Sequence, residues 1–74
     1  MTENEFLQLQ LGTVVSSRFA EEIYFVIYDT DQMGTEYRGK RYRVYGARQI
    51  DCDTNMARID INNCQFWKIK GKII

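Results

Sequence analysis

The sequence predicts a mainly β, single-domain protein, an antiparallel meander of five to six short strands that curls into a small barrel, with space for a short N-terminal helix. Three observations point there. Apolar residues alternate with polar ones over most of the chain, the period-two pattern of half-buried strands. Polar turn-forming residues interrupt that pattern at close intervals. Strand-favouring residues are abundant, with 45% hydrophobic residues that include five Tyr, four Phe and one Trp, side chains that suit a pleated surface.

From the N-terminus, Leu7-Gln8-Leu9-Gln10-Leu11 alternates cleanly, and the same parity runs on through Thr13 and Val15, as in a strand. A helix competes for the same residues. Thr2 and Glu5 have capping-box spacing, Phe6, Leu7 and Leu11 fit one helical face, and Gly12 offers a C-terminal stop. A helical turn over residues 2–6 is compatible with both readings. Arg18 to Glu22 reads as a turn or a single helical turn. Ile23 to Tyr28 is a dense β-branched and aromatic run, the natural central strand. Asp29 to Gly34 reads as a polar loop. Arg41 to Val44 alternates again, Gly46 suggests a bulge or bend, and Gln49 to Cys52 continues the pattern. Asp53-Thr54-Asn55 has turn chemistry. Ala57 to Ile61 alternates with isoleucines inward, Asn62-Asn63 suits a hairpin turn, and Gln65 to Lys70 forms the last strand.

Strand number and spacing favour an SH3-like or OB-like barrel, with α+β as the alternative class. Residues 1–74 are one domain. A chain of this length buries only about 60% of its unfolded surface, so its stability is small unless something staples it. No apolar run approaches the roughly 18 residues that span a bilayer, and Met1 to Glu5 is acidic rather than basic. The expectation is a cytoplasmic protein without a membrane segment. Cys52 and Cys64 fit free thiols in a reducing compartment, with a disulfide between neighbouring strands as the alternative.

The catalytic inventory is thin. There is no histidine, which removes the commonest general base, the Ser/His and Cys/His nucleophile pairs, and the second half of a zinc site built on two cysteines. Asp29/Asp31 and Asp51/Asp53 are paired carboxylates, yet each pair falls where a turn is expected. Asp29-Xaa-Asp31-Xaa-Xaa-Gly34 opens like a calcium loop, then fails at Met33 and Lys40, where oxygen ligands are required. No catalytic residue, metal or cofactor is assigned.

Charge is segregated. Residues 1–36 carry seven acids and one arginine, residues 37–48 carry five cations and no acid, and the whole chain sums to zero. The basic stretch is laced with Tyr37, Tyr42 and Tyr45. As a strand it would place Arg41, Arg43 and Tyr45 on one face and Tyr42 and Val44 on the other. Cations beside exposed aromatic rings suit phosphates and bases, or an acidic protein. The plainer reading pairs these arginines with the chain's own acids, such as Asp31 and Glu36. At the C-terminal end, alternation puts Phe66, Lys68 and Lys70 on one face and Trp67 and Ile69 on the other, so one large aromatic beside lysines is a second anchor candidate. Ile73-Ile74 is hard to bury unless the last strand pairs to its end or a second copy covers it.

The candidate binding residues are therefore Arg38, Lys40, Arg41, Arg43, Tyr45, Arg48, Trp67 and Lys68. The leading expectation is a small non-enzymatic module that binds a protein, as a modulator or inhibitor in the style of phage and mobile-element accessory proteins. A nucleic-acid-binding small barrel is the alternative, and a structural subunit of a homo-oligomer, a homodimer for example, is the third.

Overall fold

The computed structural model describes residues 1–73, with the backbone alone at Met33. It is mainly β. A short helix, α1 (Glu3–Leu7), precedes β1 (Thr13–Ser17), β2 (Ala20–Tyr37), β3 (Lys40–Gln49), β4 (Cys52–Ile59), a 3-10 turn (Cys64–Phe66) and β5 (Trp67–Lys72). All pairings are antiparallel, and the sheet order is β4-β3-β2-β1-β5.

The capping box forms as its spacing predicts. Thr2 Oγ1 accepts from Glu5 N at 3.1 Å, and Glu5 Oε1 accepts from Thr2 N at 2.8 Å. A five-residue helix cannot sustain itself in water, so its persistence rests on burial of Phe6 against the sheet. Beyond it neither reading of residues 7–12 holds. Leu7 and Leu11 are each 52% exposed and only Leu9 turns inward. The helix stops at Gln8 and the strand waits until Thr13. Gly12, at φ 89°, ties this link into the sheet: its N–H donates to the Ile27 carbonyl, and its own carbonyl accepts from Ile73 N.

Three expected turns fall elsewhere. The Asp29–Gly34 loop is instead the middle of an eighteen-residue β2, because Asp29, Thr30 and Asp31 pair with Gly46, Tyr45 and Val44, and ladder bonds override weak strand propensity. Extra residues are absorbed by register shifts at Tyr28 and at residues 32–34. The turn expected at Asp53–Asn55 lies at Ile50–Asp51. Asn62-Asn63 is no hairpin turn, since β4 and β5 do not pair. Asp60 Oδ1 accepts from the N–H groups of Asn62 and Asn63 at 2.9 and 3.0 Å, and Asn63 Oδ1 accepts from Asp60 N at 2.9 Å. This knot reverses the chain into the 3-10 turn and sends β5 to the far edge beside β1.

The remaining turns are tight. Arg18-Phe19 joins β1 to β2, and Arg38-Gly39 joins β2 to β3 with both φ angles positive, 53° and 79°. That is the two-residue hairpin geometry whose twist matches its strands. The barrel does not close. Among the described residues β4 and β5 are free edges at opposite ends of one coiled sheet. Ile74 lies outside the described residues.

Opposed residues of an antiparallel pair share a face, so the register defines the core. Val15–Phe25, Ile27–Ala47–Ala57 and Tyr45–Ile59 form rows on one side. Phe6, Leu9, Ile61 and Cys64 close over that side.

Candidate binding surface

The other side of the sheet has no such cover. Val14, Val26, Arg48 and Met56 form one row across β1, β2, β3 and β4. Tyr24 and Tyr28 share the face of Val26 by strand alternation. Their exposures are 45% for Tyr24, 40% for Tyr28 and 58% for Met56. Tyr28 organises this surface. Its ring lies against Gly46, 3.4–3.5 Å from where a Cβ would stand. The Arg48 guanidinium sits over that ring at 4.6 Å, and the Tyr28 hydroxyl lies 3.1 Å from Met56 Sδ. Arg48 is thus held by a cation–π contact, a restraint that limits the entropy it would lose on binding.

The basic stretch divides. Arg38, Lys40, Arg41 and Arg43 are exposed on the β2–β3 arm. Arg38 reaches back over the Tyr37 ring at 5.1 Å, and Arg41 Nη1 makes a long 3.5 Å contact to the Gly34 carbonyl. Tyr37 and Tyr42 are half-buried, edge-to-face at 6.0 Å, and lean on the core.

Tyr45 corrects the expected parity. It is 3% exposed, packs edge-to-face on Phe6 at 5.4 Å, and donates its hydroxyl to the Leu9 carbonyl at 3.1 Å. It is a core residue that anchors the N-terminal segment. The register shift opposite Arg43 separates the two: Arg43 lies on the two-stranded arm, whereas Tyr45 pairs with Ile59 beneath Phe6. Burial holds its phenol above the usual tyrosine range, with Arg43 acting weakly the other way.

Trp67 is half-buried and packs edge-to-face on Phe25 at 5.4 Å. Lys68 pairs with Glu21 at 3.1 Å, and Lys70 reaches the same carboxylate at 3.6 Å. The Lys68 hydrogen bond and charge hold Glu21 below the usual carboxylate range. Neither pair involves Arg38, Lys40, Arg41, Arg43 or Arg48. Glu36 lies directly opposite Arg41 in the ladder, yet the two form no ion pair.

Sequence reasoning missed four surface residues: Tyr24, Tyr28, Met56 and Phe19. The first two were visible in principle, because Ile23, Phe25 and Ile27 alternate with them in the central run. Phe19 was not. It occupies a turn, 81% exposed, with its ring 5.7 Å from that of Phe66, and no periodicity governs a two-residue turn.

Both cysteines are free, Cys52 exposed and Cys64 buried. The Thr54 hydroxyl lowers the Cys52 thiol pKa, while burial raises that of Cys64. No helix of the described residues is long and apolar enough to cross a membrane. Comparison with protein-family models, curated proteins and solved structures finds no match for this chain.

Proposed function

We propose that this protein is a non-enzymatic binding module that modulates or inhibits a partner protein through the uncovered sheet face of Tyr24, Tyr28, Arg48 and Met56. The observation that carries the reading is Tyr28, exposed on a rigid sheet and clasped by Arg48 and Met56. Tyr, Arg and Met are enriched at the cores of protein interfaces, and Tyr and Arg supply many of the residues whose truncation costs most. A sheet holds such side chains in place, so little ordering is needed on binding. Two free thiols suit a reducing compartment such as the cytoplasm.

The test is affinity capture from nuclease-treated host lysate with the wild type and with Y28A/R48A. The reading expects a protein retained by the wild type and weakened at least about 30-fold by the double substitution, the scale of a residue worth about 2 kcal/mol. Equal retention by both forms, or no retained protein, refutes it. Both side chains are exposed, so Y28A/R48A should keep the wild-type circular dichroism spectrum.

A further inference from the structure

The β2–β3 arm is a separate feature with different chemistry. β1 pairs with β2 only as far as Val26, and β4 pairs with β3 only from Tyr45 onward. Residues 30–44 are therefore a two-stranded ribbon beyond the sheet proper. One side leans on the body through Tyr37, Tyr42 and a 3.5 Å contact from Thr35 Oγ1 to Asp60 Oδ2. Beyond residue 34 the arm holds Arg38, Lys40, Arg41 and Arg43, all exposed, against Glu36 as its acid. Glu36, the acid of this end, forms no ion pair with any of the four.

We propose that this arm binds the sugar-phosphate backbone of nucleic acid, without reading its sequence. An acidic protein is the other polyanion to weigh, and the arm is poorly built for one. Protein interfaces draw their affinity from aromatic and apolar anchors at a dry centre, and here both tyrosines of the arm turn inward. What the arm exposes is mostly charge, with Gln32 as an uncharged exception, and charge is sufficient for phosphates because counterion release supplies the affinity.

The spacing agrees. Arg41 and Arg43 are two residues apart on a strand, about 6.8 Å, the axial advance of two phosphate steps of about 3.4 Å each on one duplex strand. A two-stranded ribbon also fits the major groove, about 12 Å wide. The tight Arg38-Gly39 turn holds the cations on a defined scaffold rather than a floppy loop.

The experiment is fluorescence anisotropy with two labelled 20-base-pair duplexes of unrelated sequence, at 50 and 200 mM salt. Four phosphate contacts give a slope of log affinity on log salt of about −3.6, a loss of about 150-fold between the two conditions. Both duplexes should bind alike. R41Q/R43Q should roughly halve the slope and weaken binding at 50 mM salt by about tenfold or more. K70Q/K72Q, an equal change in net charge on β5, should retain wild-type binding. Absence of binding at 50 mM salt overturns the proposal. So does binding that R41Q/R43Q leaves unchanged, or equally tight binding of labelled polyglutamate, which would assign the arm to acidic proteins. Y28A/R48A should leave this affinity within a few-fold of wild type, so failure here and failure of the protein-binding reading are distinguishable.

Discussion

Tyr45→Phe separates two accounts of the same residue. On the surface account its hydroxyl is dispensable for folding and its ring serves binding. In the structure the hydroxyl donates to the Leu9 carbonyl inside the core, so removing it leaves a buried acceptor unsatisfied. That costs about 1–2 kcal/mol, from a total of about 4–11 kcal/mol for a chain of this length. With a urea slope of about 1 kcal/mol per molar, the unfolding midpoint should fall by about 1–2 M, measured by far-ultraviolet circular dichroism. Tyr45→Ala also removes the ring that packs on Phe6 and should cost about 3–5 kcal/mol. The pH dependence carries a sign. Burial raises the folded pKa of Tyr45 above the ordinary tyrosine value of 10.0, so the folded state keeps the proton while the unfolded chain releases it. Stability contributed by the protonated phenol is complete below pH 10 and declines as pH climbs toward the folded pKa. Tyr45→Phe should lack that alkaline decline. An unchanged midpoint, or an identical decline in Tyr45→Phe, would refute a buried and bonded Tyr45.

Other expectations follow from single contacts. A Cβ at Gly34 would stand 2.1 Å from Val44 Cγ2 and 2.9 Å from the Tyr42 carbonyl, so Gly34→Ala should destabilise by about 1–3 kcal/mol, read as a lower urea midpoint. Arg38 occupies the left-handed region, and Arg38→Asn should raise the thermal midpoint, since asparagine tolerates that conformation where arginine is strained by about 1 kcal/mol. Phe19→Ala removes a ring that is 81% exposed and should move stability by no more than about 0.5 kcal/mol. A thiol reagent should modify Cys52 at once and Cys64 only at the rate of opening, since one is exposed and the other buried. Equal rates would contradict the packing of the 3-10 turn.

Much of the architecture is local and could be read from residue order. The capping box depends on two side chains three apart, and it forms as spaced. The central run Ile23–Tyr28 is a strand because β-branched and aromatic side chains suit a pleat whatever surrounds them. Ile59 and Ile61 are buried, as alternation requires. The acid-free composition of residues 37–48 is likewise a property of residue order alone.

Long-range pairing decided the rest. Asp29 to Gly34 has loop composition, yet it lies in a strand because Val44, Tyr45 and Gly46 complete its ladder. Whether β5 follows β4 or crosses to β1 depends on the Asp60–Asn63 knot and on edge hydrogen bonds, neither of which has a periodic signature. Tyr45 was placed with the arginines by parity, and only the register shift beside Arg43 together with the descent of Phe6 onto the sheet put it in the core. The same arrangement left Glu36 opposite Arg41 without an ion pair. Composition determines how much charge a chain carries. Which charges meet is determined by distances that exist only once the sheet has formed.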